Sequence, residues 1–425
     1  MRHPLYKPEI ELDLKTICNP ITTCIMMKLK IILLLVLKLS VSCFYACYAQ
    51  DLIKTFNLTK LPEPSAVKLS DLGFVDIEYI PLETKEESLI SEINTVFYNE
   101  WSINKILSGD GYFVIKNGKR VLKFKENGLF VTNIGRIGRG PDEINNIEDL
   151  DIDRDNQNIY MVSGWQKKFF LFSLNGELLK TYNVPFYIRE FRFVGDKIIC
   201  YCGNNRGDNK FNFVLTDKSG QIIKTFPNQY SFKPKSSYGF THENLFYTYN
   251  KRLYIKELYS DTIFVFDNLG FDPHLVIEVG NRQVTPKVRS ECNLNEICAN
   301  YIQPENLLEF GDYVYYAFTY RFVDDDVVLY GFIGSKKNSY QVLFNLGEGI
   351  INDLDGGPNI LPLTIKDENT IITIVDALKL KSHIASEGFK NSKPVYPEKK
   401  KELEELAASL KETDNPVLVL VRLKK

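Results

Sequence analysis

Residues Gly135–Tyr182 read GRIGRGPDEINNIEDLDIDRDNQNIYMVSGWQKKFFLFSLNGELLKTY. A loop rich in Gly and Arg comes first. Short runs of alternating apolar and polar residues follow, near Asp149–Asp153, Ile159–Val162, Phe169–Ser173 and Leu178–Tyr182. Period-two alternation places one side of each run in a core and the other outside, so these are strands. The last two flank Asn175-Gly176, a pair that tolerates positive φ and therefore turns a hairpin tightly.

The same plan recurs on both sides. Upstream lie strands near Ile93–Tyr98, Tyr112–Ile115, Val121–Lys125 and Leu129–Asn133, with Asn127-Gly128 at the turn. Downstream, one set covers Glu190–Val194, Lys197–Cys202, Phe211–Thr216 and Ile222–Phe226, turning at Ser219-Gly220. The next covers His242–Tyr247, Arg252–Glu257, Ile263–Phe266 and Leu275–Val279, turning at Leu269-Gly270. Gly128, Gly176, Gly220 and Gly270 fall at a near-constant period, each before the last strand of its unit. A repeated unit of four short strands is the signature of a β-propeller blade.

Pro286–Ile302 interrupts the rhythm with the helical stripe Leu294, Ile297, Cys298 and Tyr301. A fifth unit follows at Leu307–Phe310, Tyr313–Phe322, Val327–Ile333 and Tyr340–Leu346, and a sixth begins at Ile360–Ile365 and Thr370–Val375. A second helix is predicted over Glu398–Lys411, packing through Leu403, Leu406, Ala407 and Leu410. The final run Val417–Leu423 (VLVLVRL) suits a strand buried on both faces. The sixth unit then lacks one strand, while the early strand Val75–Ile80 has no unit. Pairing the two closes the ring and removes an exposed sheet edge. The predicted fold is therefore all-β: a six-bladed β-propeller with four-stranded blades, closed by its N- and C-terminal strands and carrying two short helical inserts. It occupies residues 74–425 as one domain, behind a polar lead at 50–73, and Pro81 at the end of the first alternating run implies a sheet-edge position.

The front end is of another kind. Met26 and Met27 precede Lys28-Leu29-Lys30, the apolar run Ile31–Leu37 and the small-residue end Tyr48-Ala49-Gln50. Basic, apolar, cleavable is the order of a secretory signal peptide, here 26–49, and the run is short for a membrane span. Residues 1–25 are then a start-site artefact, or alternatively a genuine N-terminal extension followed by a membrane anchor. Lipid attachment at Cys43 or Cys47 is the runner-up, with Ser40 or Phe44 where a Leu is usual. Four of the eight cysteines, Cys200, Cys202, Cys292 and Cys298, remain in the mature chain. Cys200 and Cys202 share a strand face and bridge poorly, and Cys292 and Cys298 fall on different helix faces, so buried free thiols are expected. Aromatic residues make up 13% of the chain, in keeping with half-buried strands, and a net charge of −2 provides no field for nucleic acid.

Three separated stretches carry a family resemblance: Tyr79-Ile80-Pro81-Leu82-Glu83-Thr84, Gly138-Arg139-Gly140-Pro141-Asp142-Glu143, and Leu406-Ala407-Ala408-Ser409-Leu410-Lys411 with Asn415-Pro416-Val417-Leu418. They resemble the exported six-bladed β-propeller proteins of gut Bacteroidetes, over the whole mature chain. That family commonly has Gly where Asp142 stands and Tyr or Phe where Ile144 stands. The resemblance implies fold and export, and no particular chemistry.

The first candidate site is the loop Gly135–Glu143, which leads from an outer strand to the innermost strand of the next blade. Arg136 and Arg139 offer forked donors for carboxylate, sulfate or phosphate, with Glu143 orienting one of them. Competing with this is an Arg139–Glu143 pair that staples two blades. Asp149 and Asp151, on an inner strand, are the other candidate ligand-binding residues. Asp151, Asp153 and Asp155 only superficially follow a calcium loop, because Asn156 and Val162 stand where Gly and Glu are needed. Ser108-Gly109-Asp110-Gly111 begins like a sialidase Asp-box, but Tyr112 breaks it. Asp324-Asp325-Asp326 reads as a solvated turn, and Lys399-Lys400-Lys401 as an exposed helix face. His242, His274 and His383 lack metal or triad spacing. Trp165 is read as packing between blades; Tyr187 lies on the next blade's approach.

No cofactor and no metal is called for. The functional expectation is a non-catalytic ligand-binding or scaffolding propeller of the bacterial envelope, in the periplasm or at the cell surface. Its partner would be a glycan, a peptide or an envelope protein, with no nucleic acid and with membrane contact only through a lipid anchor. The alternative is a hydrolase or lyase acting on an anionic saccharide or lactone, held by Arg136 and Arg139 and attacked by way of Asp149 and Asp151. A structural subunit of an envelope complex is the third reading.

Overall fold

The structure, a computed structural model, describes residues 53–90, 103–140, 143–236, 238–323 and 326–424. Residues from Lys54 onward form one compact unit. The expected signal sequence with Cys43 and Cys47, the strand expected at Ile93–Tyr98, Pro141 and Asp142 of the loop, and Asp324 and Asp325 lie outside the described residues.

Five four-stranded sheets and one five-stranded sheet make six blades. Blade 1 comprises Ile103–Ser108, Tyr112–Asn117, Arg120–Lys125 and Phe130–Asn133. Its first strand therefore lies downstream of the expected Ile93–Tyr98. Blade 2 runs Asp149–Asp153, Asn158–Ser163, Lys168–Ser173 and Leu178–Asn183. Blade 3 runs Glu190–Val194, Lys197–Tyr201, Phe211–Asp217 and Ile222–Pro227. Blade 4 has Asn244–Tyr249, Arg252–Glu257, Thr262–Asp267 and Gly270–Glu278, and blade 5 has Gln303–Phe310, Tyr313–Val323, Asp326–Ser335 and Gln341–Asn345. First strands touch one another between blades 2 and 3, 4 and 5, 5 and 6, and 6 and 1.

The repeated turn glycines have a physical cause beyond the hairpin. Gly128 and Gly176 both have positive φ, and a Cβ on them would strike the carbonyl oxygens of Pro81 and Asn133 at 2.0 and 2.5 Å. Each turn thus packs against the end of the outermost strand of the preceding blade, where only Gly leaves room. Blade 4 departs from this: Asn268 and Leu269 take positive φ instead, and Gly270 opens the strand.

The ring closes as expected. Blade 6 orders its strands Phe74–Pro81, Val417–Leu423, Thr370–Val375 and Thr364–Asp367 from outside to inside. Ile77 faces Val421 and Tyr79 faces Val419 across the antiparallel seam. Val417 to Val421 are all buried, as their uninterrupted apolar run requires. Pro81 sits in the outermost strand, where a missing N–H is harmless. Asn415 locks the seam: its amide donates to the carbonyls of Glu83 (2.9 Å) and Ser88 (2.8 Å) and accepts from Ile90 N (2.8 Å). Two of the stretches that carry the family resemblance are thereby joined.

The segment read as a polar lead contains a strand. Lys54–Asn57 pairs in parallel with Gly270–Glu278 as a fifth, outer strand of blade 4, and Phe56 and Leu58 are buried between blades 4 and 5. The helical inserts are richer than expected. Pro286–Glu291 and Leu294–Asn300 form the first, and Ala377–Ala385, Glu387–Asn391 and Pro397–Ser409 the second. Cys200, Cys202, Cys292 and Cys298 are free thiols, Cys200 buried and the others only half-buried.

Candidate functional site

The loops between blades lead into the innermost strands. Asp149, at the start of blade 2, is buried and binds three blades together. Its Oδ1 accepts from Lys105 Nζ of blade 1 at 2.7 Å, and its Oδ2 from Arg192 Nη1 of blade 3 at 2.6 Å. The Arg192 guanidinium in turn lies 5.2 Å over the ring of Phe246 in blade 4. Burial by itself would raise the Asp149 carboxyl, but Lys105 and Arg192 outweigh it and hold it below the ordinary value.

Alternation explains the rest of the motif. The free edge of Glu190–Val194 presents N–H groups toward the axis, and a buried N–H needs an acceptor. Asp149 Oδ2 takes Phe191 N at 2.9 Å, and Asp151 Oδ2 takes Phe193 N at 3.0 Å. The spacing of two between the carboxylates matches the spacing of two between the N–H groups. Both candidate acids are thus committed to joining blades 2 and 3, and the calcium reading fails for the same reason. Asp153 caps its own turn and takes Lys218 Nζ at 2.8 Å, and Asp155 is exposed.

Glu190 stands beside them half-buried, and burial followed by the Asp149 charge pushes its carboxyl up to about 7. Lys116, from the second strand of blade 1, is brought down to about 8 by burial. Next to Glu190, Arg189 fastens the entries to blades 3 and 4, donating to Phe240 O (2.6 Å), Thr241 O (2.9 Å) and Glu243 (3.3 Å).

The Gly- and Arg-rich loop is a small closed structure. Ile144 N bonds to Arg136 O and Gly138 N to Ile144 O. Glu143 turns inward: its carboxylate accepts from Gly140 N at 2.7 Å and lies so near Gly138 that a Cβ there would be 1.9 Å from it. Glu143 therefore organises the loop and neither orients an arginine nor staples blades. Arg136 and Arg139 are exposed, with no side-chain partner among the described residues. The loop contacts the neighbouring turn through Asn145 N and Gln166 Oε1 at 3.0 Å.

That turn carries Trp165, which is 80% exposed and corrects the packing expected for it. Its ring meets Tyr187 edge to face at 5.6 Å, and Tyr187 packs where a Cβ on Gly164 would lie, 2.6 Å from its ring. The turn is pinned by Glu148 Oε2 accepting from Gly164 N at 2.8 Å. Trp165 is thus presented by its loop to solvent. Sequence reasoning missed Lys105, Glu190 and Arg192. The trace of the last two is the alternation EFRF at 190–193, where Glu190 and Arg192 occupy one face of a strand and phenylalanines the other.

The histidines go to separate places. His242 approaches Glu305 (3.9 Å), His274 bonds Glu309 (2.8 Å), and His383 bonds Gly356 O (2.9 Å). Among the described residues, no group of three or more His, Cys, Asp or Glu converges as metal ligands would.

The family described as Domain of unknown function (DUF4934) matches residues 53–422. No curated protein matches the chain. Among solved structures, a Bacteroides fragilis protein described as exported shares the fold with a TM-score of 0.62 at 17% identity, covering 88% of this chain and 100% of that one. A Bacteroides vulgatus member of the duf4221 family aligns with a TM-score of 0.50 at 11% identity, covering 83% and 97% respectively.

Proposed function

The chain belongs to the DUF4934 family, and on that premise we propose that it is an extracytoplasmic binding propeller that holds a saccharide at the mouth of its channel. The observation that carries this reading is Trp165. A tryptophan 80% exposed, steadied by Tyr187 on a pinned turn, is a ready stacking surface for a sugar ring. Arg136 and Arg139 on the adjoining loop supply forked donors for an acidic substituent. Asp149 and Asp151 support binding only indirectly, by holding the blades that carry these groups. Peptide and envelope-protein ligands are outcomes of the same test.

Binding of the protein beginning at Gln50 to a glycan and peptide library tests this, beside Trp165→Ala and Arg136→Ala/Arg139→Ala variants. Weakening of a saccharide hit in Trp165→Ala by up to about tenfold is expected, since an aromatic stacking contact is worth about 0.5–1.5 kcal/mol. The arginine pair should weaken acidic saccharides selectively. A hit that survives Trp165→Ala would overturn the site, and peptide-only hits would overturn the ligand class. The enzyme reading, a hydrolase or lyase on an anionic saccharide or lactone, now rests on Glu190, whose carboxyl near 7 suits acid–base work beside Arg192. Product in the library wells, abolished by Glu190→Gln, would establish it.

Export rests on the leader Met26–Ala49, with support from the structural likeness to a protein described as exported. Cleavage after Ala49 makes Gln50 the first residue, and the intact mass of protein recovered from its host should show that end. A diacylated Cys43 or Cys47 would instead make it a lipoprotein, with outer-membrane attachment as the only membrane contact. Among the described residues no helix is long and apolar enough to cross a membrane.

A further inference from the structure

A second site lies between blades 4 and 5. Strands alternate in direction within a blade, so the turn between the second and third strands lies at the same end as the loop that leads to the next blade. In blade 5 that turn reaches further than elsewhere. Its second and third strands, Tyr313–Val323 and Asp326–Ser335, have 11 and 10 residues, where the second strands of the other blades have 5 or 6. Gln303, the first residue of the innermost strand, pairs with Thr319, so Tyr320 and Arg321 project beyond it. There they meet the loop that leaves blade 4, where the short turn Gly280–Arg282 holds Arg282. The two guanidinium carbons each lie 5.3 Å from the centroid of the Tyr320 ring, and so no more than twice that apart.

Arg321 reaches this position through a distortion. Adjacent side chains of a regular strand point to opposite faces, which keeps a residue off its neighbour's ring. Pairing in the hairpin is regular as far as Tyr320–Val328 and slips before Val323–Asp326, and Arg321 within the slip has a φ of 63°. A left-handed conformation is uncommon for a residue with a side chain, and in a bulge it re-aims that side chain. Arg321 is exposed, whereas Arg282 is half-buried and held by its Nη2, which donates to the carbonyl of Leu58. The Tyr320 ring is half-buried against the core shared by blades 4 and 5. Among the described residues the arginines that pair with carboxylates are Arg189, Arg192, Arg252 and Arg422, so neither of these two has an acidic partner there. The ring face attracts both cations but has no net charge to cancel theirs. Two like charges are thus held close together.

We propose that Arg282 and Arg321, gathered on Tyr320, form a binding site for a tetrahedral oxyanion ester, a sulfate or a phosphate. One arginine fork saturates the two oxygens of a planar carboxylate, whereas the three terminal oxygens of such an ester can receive donors from two forks. Half-buried Arg282 is the fixed donor, and exposed Arg321 adjusts to the ester. Blade 5 stands opposite blade 2 in a ring of six, so the site is separate from Trp165. Nothing in this assignment depends on the saccharide reading.

Calorimetric titration of the whole mature protein with glucose 6-sulfate, glucose 6-phosphate and glucuronate tests it. Saturable binding of at least one ester is expected, the tighter of the two naming the group, with glucuronate weaker by about tenfold or more. Arg321→Gly keeps the left-handed backbone at an exposed position and removes only the guanidinium. It should weaken the ester about tenfold or more. Trp165→Ala and Arg136→Ala/Arg139→Ala should bind the ester as the parent does, whatever they do to other saccharides. Failure of both esters to bind, glucuronate as tight as the esters, parent-like affinity in Arg321→Gly, or loss in Trp165→Ala or Arg136→Ala/Arg139→Ala would each overturn the assignment.

Discussion

A protein carrying Asp149→Ala should lose about 3–5 kcal/mol of stability, because the change strands two cations in the interior. Lys105 and Arg192 both point at this one carboxylate, and Phe191 N loses its acceptor at the same time. Asp149→Asn should cost less, since an amide oxygen still receives Phe191 N while the charge is gone. Adding Arg192→Leu to Asp149→Ala should recover part of the loss, the sign that the damage comes from an unpaired charge and not from a cavity. Urea midpoints of the parent, Asp149→Ala, Arg192→Leu and the double variant measure this, and simple additivity of the two changes would refute the three-blade staple. The pH dependence follows from the depressed carboxyl. Its contribution is present above the ordinary value of 3.8 and disappears as pH falls through the lower folded value. The gap between parent and Asp149→Asn should therefore narrow only in strong acid.

A larger effect is expected at the seam. A chain that begins at Glu83 lacks the outermost strand of blade 6 and should fail to give a soluble, cooperatively unfolding monomer. Phe74, Ile77 and Ile80 are buried, each worth about 1.5–3 kcal/mol, and their loss uncovers the apolar edge of Val417–Leu423. An exposed edge of that kind pairs with other chains. A chain that begins at Leu61 keeps the seam and loses only the outer strand of blade 4 with Phe56 and Leu58. It should fold, with stability lower by about 3–5 kcal/mol. Size-exclusion profiles and urea unfolding distinguish the two. A well-folded monomer from the shorter chain would show that Phe74–Pro81 does not hold the ring shut.

These two expectations stand on features of different legibility. The seam could be read from residue order alone: a VLVLVRL run has nowhere to go except between two strands, and a unit short of one strand meets an early strand short of a unit. The blades were legible for a similar reason. Alternation and tight turns are local properties, and a glycine that must admit the carbonyl of the preceding blade recurs wherever that contact recurs. Lys54–Asn57 escaped because a single short strand has too few periods to show, and its parallel partner lies more than two hundred residues away.

The site was legible only in its loops. The arginines of Gly135–Glu143 do stand exposed, yet Glu143 turns away from them to cap its own backbone. Sequence determined the six repeated units, the faces of their strands, the closing pair and the place of the turns, because each depends on the side-chain period along a few consecutive residues. Tertiary structure alone decided that Asp149 and Asp151 hold blades together, that Trp165 faces solvent, and that Arg282 meets Arg321 at the ring of Tyr320. Those roles depend on which groups from distant blades arrive at hydrogen-bonding distance, and no local pattern encodes that.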